Sequence, residues 1–432
     1  MSYLSYIIVA LLGALAAVLA NLGVAVFNDG LRPIMPEYLE GRMDKKALAA
    51  TSFALGFGLV IGFGIPVSVA ATIILIHSIL LGTDIIGTWC PKGKKGVIIA
   101  AVVGALYGIG IVAGLKVVVD LFAKLPVNFL SDLGKVGDPI NAAFAVFPAL
   151  VVAYQFGMKN GAITLGISFF VRQFIQYWGK FKVNGVNVAL NPEGMALLAG
   201  MIILIIFAMR EKPDPNAPKV DLTAIFSERV AKIKKNLPIL VVMGGLISAA
   251  TSLSLLAGDP ISLNLLKEGK NIEAAMAAFA RGIGFIPLVA TTAITTGVYA
   301  PAGMTFVFVV GLLLVGNPLV AFIAGAAVMA LEIVLLTVLA KGMDKFPGIR
   351  KAGDNIRTAM SRVLEVALLV GGMMAANAMA PGLGLFVVVG IYVLNKTSKK
   401  PIVDMAVGPV GAIAVGILIN ILYVVGLYLP SK

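Results

Sequence analysis

Apolar runs separated by short basic clusters make up almost the whole chain. They fall at about 3–27, 47–64, 66–82, 97–122, 139–157, 160–178 and 193–209, and again at about 237–256, 273–299, 302–316, 318–340, 358–380, 383–395 and 402–428. A helix that spans a bilayer needs about 20 apolar residues, with about 17 near the lower limit. Most runs reach that length. The pieces within 47–82, 302–316 and 383–395 are short and are read as re-entrant or tilted. A hairpin that enters and leaves on one side replaces two crossings, so it leaves the parity of the count unchanged. A polar stretch, REKPDPNAPKVDLTAIFSERVAKIKKN (210–236), divides the runs into two sets of seven.

Composition sharpens this picture. The 432 residues are 59% hydrophobic and 13% charged, with a mean hydropathy of +1.00, against about 25% charged in soluble domains. The pattern is that of a polytopic, all-α membrane protein whose partner is the lipid bilayer. The formal net charge of +13 sits in short loops between apolar runs, which sets orientation and is no footprint for nucleic acid. Cys90 and His77 are single copies of their types, which removes intrachain disulfides, thiolate clusters, His-based zinc sites and a Ser-His-Asp triad. No P-loop is present, so the chain carries no ATP motor of its own. It is not read as an enzyme, and no cofactor or metal is expected beyond a sodium ion or proton as coupling ion. The N-terminal run lacks a basic n-region and exceeds the 7–15 residues of a signal-peptide core; it reads as a retained first membrane helix.

Loop charges fix the orientation. The 210–236 loop carries Arg210, Lys212, Lys219, Arg229, Lys232, Lys234 and Lys235 and is assigned to the cytoplasm. Counting outward puts the basic loops 28–46, 91–96, 341–357 and 396–400 on the same side and both termini outside. An internal correspondence accompanies this layout. Glu40-Gly41-Arg42, Ala47–Ala50, Phe53-Ala54, Gly56-Phe57-Gly58 and Pro66 recur as Glu268-Gly269-Lys270, Ala275–Ala278, Phe279-Ala280, Gly282-Ile283-Gly284 and Pro287. Lys124-Leu125-Pro126 with Lys135–Ile140 likewise matches Lys345-Phe346-Pro347 with Lys351–Ile356. Seven segments per half is odd, so the second half is inverted. The expected domains are a first repeat, 1–209, a cytoplasmic linker, 210–236, and a second, inverted repeat, 237–432. Inverted repeats whose broken helices meet near the midplane are the architecture of secondary transporters.

The candidate chemistry gathers at 275–301, AMAAFARGIGFIPLVATTAITTGVYAP. An arginine, two glycines and a proline in one apolar segment leave backbone that only protein or water can satisfy. Intramembrane charges beside broken helices mark solute sites. Arg281 could hold a substrate carboxylate or phosphate through its fork, or form a structural ion pair with Glu332 or Glu365. Thr291, Thr292, Thr295 and Thr296 could face a solute, bond back to their own carbonyls, or serve helix packing. With Tyr299, Gly284 and Pro287, and with Gly58 and Pro66 of the first half, they form the candidate substrate site. Asp29 and Arg32, between the helix stops around 27–36, could gate the mouth or form a helix-ending turn. Asp84, Glu332, Asp354, Asn355, Arg357 and Glu365 complete the candidate coupling and gating set. Asp354 or Asn355 is placed as an N-cap, Arg362 and Glu365 as an in-helix pair, and Glu332 or Glu365 as a proton-coupling carboxylate. His77 reads as a hydrogen-bonded core residue.

FNDGLRPIMP (27–36), GTDIIG (82–87), RGIGFIPLVATTAITTGVYA (281–300) and GDNIRTAM with EVALLVG (353–371) resemble the YhfT family of bacterial membrane proteins across essentially the whole chain. That resemblance implies a multi-pass transporter of the inner membrane but brings no substrate with it. A looser similarity, in the Gly-rich segments and repeat layout, is to the galactitol and ascorbate membrane components of the phosphotransferase system, and implies an elevator carrier that forms a homodimer. The expected function is a gradient-driven secondary transporter of a small polar, anionic or zwitterionic solute. A channel, or a sugar permease component served by separate partner proteins, is the alternative.

Overall fold

In the computed structural model, residues 3–32, 34–183, 186–190, 192–212, 222–343, 347–399 and 404–430 are described. Helix α1 (Tyr3–Asn21) ends six residues before its apolar run does, and an irregular stretch leads to the short α2 (Met35–Leu39). Helix α3 (Lys45–Leu59) then passes through a π-helical turn (Val60–Gly64) into α4 (Ile65–Ala71). The expected 47–64 piece and the start of the expected 66–82 piece are therefore one interrupted helix, closed at Thr72, and the rest of 66–82 belongs to the elements that follow. Strand β1 (Ile74–Leu75), α5 (Ile76–Trp89) and the long α6 (Gly93–Lys124) follow. Next come α7 (Leu130–Leu133), α8 (Gly137–Phe156), α9 (Met158–Trp178), the antiparallel β2 (Lys180–Val183) and β3 (Val186–Ala189), and α10 (Pro192–Arg210).

The polar stretch expected to be a loop contains helix α11 (Leu222–Lys235), while residues 213–221, with Lys219, lie outside the described residues. Phe226, Val230 and Ile233 bury one face of α11, a helical spacing. The second set runs α12 (Leu237–Ser252), β4 (Leu256–Ala257), α13 (Pro260–Lys267), α14 (Asn271–Thr296), α15 (Phe306–Leu313), α16 (Pro318–Met343), α17 (Pro347–Met379), α18 (Leu383–Thr397) and α19 (Asp404–Val424). Lys345, Phe346 and Lys400, used above for the internal correspondence and the orientation, lie outside the described residues.

Among the described residues, six helices are long and apolar enough to cross a membrane, or up to eight if each of two bent pairs is one span. The chain is a multi-pass membrane protein. One bent pair is α11 with α12, at 64°; the other lies within α14, where 271–283 and 288–296 meet at 47°. Large apolar side chains such as Ile98, Leu106, Phe170, Leu319 and Ile323 are exposed on the outer surface, as lipid-facing positions should be. Helix contacts are made instead through small residues, because lipid tails remove the hydrophobic drive for association. A Cβ on Gly104 would lie 2.4 Å from the Gly13 carbonyl oxygen, joining α6 to α1, and one on Gly244 would lie 2.6 Å from the Met329 Cβ, joining α12 to α16.

Packing within the two sets is parallel in kind. Helix α1 lies on α5 and α6 as α12 lies on α15 and α16; α8, α9 and α10 pack together as α17, α18 and α19 do. Helix α10 packs on α14 while α19 packs on α3 and its π turn, and α1 meets α12 and α8 meets α17 across the middle.

Helix α17 begins at Pro347, so Asp354 and Asn355 are interior helical residues and neither is the N-cap. Proline suits a first helical turn because its missing N–H is unneeded there. Asn355 belongs to a polar tie between three helices. Its side-chain amide donates to Gln155 Oε1 at 3.2 Å, and Gln155 Nε2 donates to Glu211 at 2.7 Å and to the Gly348 carbonyl at 2.9 Å. Lys351 reaches Glu211 at 2.5 Å. Burial pushes the Glu211 carboxyl up, but the Lys351 ammonium and the Gln155 amide outweigh it and hold the group below its ordinary value. A depressed carboxyl stabilises the fold above the unfolded value, about 4.3, and that contribution is lost as pH falls through the folded value. Thermal unfolding scans from pH 6 to pH 3 should therefore show a shallower acid limb for Lys351→Met than for wild type.

Candidate functional site

Four helices stop at the centre of the molecule in the same way. Gly23, Thr72, Ser254 and Gly297 adopt left-handed backbone, with φ of 65°, 60°, 55° and 70°, just past the ends of α1, α4, α12 and α14. Two residues after each comes an extended residue, and these pair crosswise. Ala25 of the first set bridges Tyr299 of the second, and β1 of the first runs parallel to β4 of the second, with Ile74 opposite Leu256. The bridge carries Val26 N–H to the Tyr299 carbonyl at 2.9 Å and Tyr299 N–H to the Val24 carbonyl at 3.0 Å. Helix ends left open in a membrane protein must find internal partners, and these strands supply them. Left-handed Thr72 and Ser254 cost about 1–2 kcal/mol each.

Beside this crossing lies a cavity of about 320 Å³. Its floor is the segment after α1, with Phe27, Asn28, Asp29, Gly30 and Arg32. Asp84 of α5 holds that segment, accepting the Phe27 N–H at 3.1 Å and the Asn28 N–H at 2.7 Å. The Asn28 side chain donates to the Leu55 carbonyl at 3.1 Å and accepts the Gly30 N–H at 2.9 Å. Asp29 and the buried Arg32 form an ion pair. Hydrogen bonds to a charged group contribute about 1.5–3 kcal/mol each, so Asp84→Ala should cost about 3 kcal/mol. It should also speed hydrogen exchange at residues 27–30 while leaving α16 protected.

The opposite wall is the bent α14. Arg281 and Phe285 lie at its kink, with the guanidinium carbon 5.1 Å from the ring centre. Arg281 does not pair with Glu332 or Glu365. Its Nη1 meets Asp259 at 3.3 Å, both groups being buried. Asp259 is the N-cap of α13, accepting the Ser262 N–H at 2.9 Å and the Ser262 hydroxyl. Gly258 lies against both the guanidinium and the Phe308 ring, where a Cβ would sit 2.9 Å from Nη1 and 2.7 Å from the ring. His77 of α5 lines the same space with its ring edge-on to Phe27 and Phe63, centroids 5.0 and 5.1 Å away, and its Nδ1 has no hydrogen-bond partner among the described residues. Thr305, the residue before α15, completes the wall in a left-handed conformation with φ 81°.

Of the remaining candidates, those whose side chains are described do not line the cavity. The Thr295 hydroxyl donates to the Thr291 carbonyl at 2.7 Å and the Thr296 hydroxyl to the Thr292 carbonyl at 2.6 Å, the back-bonding use of threonine in a helix. Tyr299 is buried and donates through its hydroxyl to Glu332 at 2.9 Å. Glu332 also accepts the Met304 N–H at 2.7 Å, and Gly303 makes room for it. Gly284 and Pro287 fall at the α14 bend. Gly58 lies in α3, and Pro66 follows the π turn in α4. Glu365 is half-exposed on α17, 4.0 Å from Lys396. Asp354 and Arg357 fall within α17, and their side chains lie outside the described ones. Asp259, Phe63, Phe285 and Thr305 were not among the expected site residues. For Asp259 the signal was present: an aspartate before Pro260 with Ser262 following reads as a helix start.

A family model described as "YhfT: Protein of unknown function" matches residues 5–428. The "Uncharacterized protein YhfT" of Escherichia coli (strain K12) is 36% identical over 444 residues, covering 99% of each chain. No solved structure matches the chain. With a family model spanning nearly all of its length and a relative aligned end to end, this chain belongs to the YhfT family.

Proposed function

We propose that the protein is a secondary carrier of a small polar solute, anionic or zwitterionic, bound in the cavity between α14 and the segment after α1. The observation that carries this reading is Arg281: a guanidinium buried at a helix kink, facing a cavity. Intramembrane arginines are costly and mark solute paths. The crosswise pairing of four left-handed helix ends supports two inverted repeats, about 1–209 and 237–432, because each set lends the other what it takes. Broken helices converging near the midplane are how such carriers build sites.

In this reading the protein sits in the bacterial inner membrane, with the 210–236 segment cytoplasmic and both termini outside. A moving unit containing α3, α4 and α14 would shift against a scaffold that pairs with a second copy, and a proton or sodium gradient would supply the drive. Glu332 is the better coupling carboxylate, being buried against Tyr299 where Glu365 is half-exposed. The test is gradient-driven uptake by proteoliposomes. Wild type should accumulate solute with saturable counterflow, and the charge-neutral pair Arg281→Gln with Asp259→Asn should lose at least ten-fold in uptake. Equal uptake by both would remove the site, and conductance without counterflow would make the protein a channel.

A further inference from the structure

The polar groups left unmet in the cavity define what it can accept. Arg281 uses Nη1 on Asp259, while its Nε has no partner among the described residues; the same holds for Thr305 Oγ1 and His77 Nδ1. All three side chains line one space, and Arg281 and Thr305 are 6% and 5% exposed. Buried polar groups without partners are rare in native proteins, and an arginine N–H, a hydroxyl and an imidazole in its Nδ1–H tautomer on one cavity would all serve one acceptor. Arginine N–H and a hydroxyl together match a carboxylate.

Two arginines face three aspartates around this space, so each negative charge on the acceptor is opposed, and a second one most of all. Arg281 already faces Asp259, Arg32 already faces Asp29, and Asp84 lies directly beneath the Phe27–Asn28 amides. A phosphate or dicarboxylate would bring its second charge against these three carboxylates. Apart from the polar floor of Asn28, Asp29 and Arg32, the lining is apolar, with Phe27, Phe63 and Phe285 as rings and Leu55, Leu59 and Leu81 between them. A sugar or polyol would leave its hydroxyls unmet there, at a cost of about 1–3 kcal/mol each. A volume of about 320 Å³ is at the small end of ligand sites.

We infer that the solute is a small monocarboxylate with an apolar, ring-sized body, its carboxylate on Arg281, Thr305 and His77 and its body among the phenylalanines. This rests on the carrier reading of the same cavity. Titration calorimetry on the full chain in nanodiscs, with benzoate, phenylacetate, benzyl alcohol, succinate and mannitol, tests it. Benzoate or phenylacetate should bind saturably, benzyl alcohol at least ten-fold more weakly, and succinate and mannitol not at all. Thr305→Val, which keeps shape and loses the hydroxyl, should weaken carboxylate binding several-fold and leave benzyl alcohol unchanged. The Arg281→Gln, Asp259→Asn pair should weaken carboxylate binding at least ten-fold.

Benzyl alcohol binding as tightly as benzoate, or no saturable binding of either carboxylate, would overturn the inference. Uptake assays separate this failure from that of the carrier reading. Carboxylate binding without counterflow would sink the carrier and keep the ligand class; mannitol or succinate counterflow without carboxylate binding would do the reverse.

Discussion

Arg281→Ala should destabilise the protein by about 3–5 kcal/mol, the cost of leaving one member of a buried ion pair uncompensated. Asp259 is the group abandoned: its side chain is 4% exposed, and it also caps α13. The loss should be largely reversed by adding Asp259→Asn, since asparagine keeps an oxygen for the Ser262 amide and carries no charge. Denaturant titration of the single and double variants in the same detergent gives the answer. If the double variant is no more stable than Arg281→Ala, the pair is not what holds these helices together. The comparison also separates stability from solute binding, because the neutral pair should fold and still fail to bind a carboxylate.

Gly13→Val should be nearly as damaging for a different reason. A Cβ at residue 13 would lie 2.3 Å from the Gly104 carbonyl oxygen and 3.4 Å from the Gly108 Cα. Backbone, unlike a flexible side chain, cannot swing aside, so α1 and α6 must separate. Overpacking costs about 1–3 kcal/mol, and a backbone-on-backbone clash belongs at the upper end. Gly110→Val on α6 is the control, since nothing lies within 4 Å of its added Cβ. Thermal unfolding should show a large drop for the first variant and almost none for the second.

The sequence made the membrane class and the position of Arg281 plain, because an apolar run of spanning length tolerates few charges and each one stands out. It did not give the partner. Asp259 lies 22 residues before Arg281 and looks like a local turn, whereas Glu332 and Glu365 sit in apolar helices and attract attention as intramembrane carboxylates. The short connection after α13 folds it back along α14, which brings its N-cap to the kink. The threonine run was legible as a feature and ambiguous in use, since a hydroxyl can turn to a carbonyl of its own helix or to a solute, and only the rotamer decides.

Helix α11 was hidden by its lysines, although Phe226, Val230 and Ile233 keep the spacing of one buried face. Helix α17 starts earlier than Asp354 suggested because Pro347 opens it. The cavity floor lay inside a noticed stretch, Phe27–Arg32. Its anchor, Asp84, is 57 positions from Phe27, a distance over which no sequence period operates.

Because Cys90 is the single cysteine, one labelling experiment can test the whole account without knowing the solute. Leu59→Cys, on the cavity wall, would be placed in a Cys90→Ser background and exposed to a membrane-impermeant maleimide in right-side-out and inside-out vesicles. A carrier with its site in this cavity predicts modification from each face. Modification from neither face would contradict it.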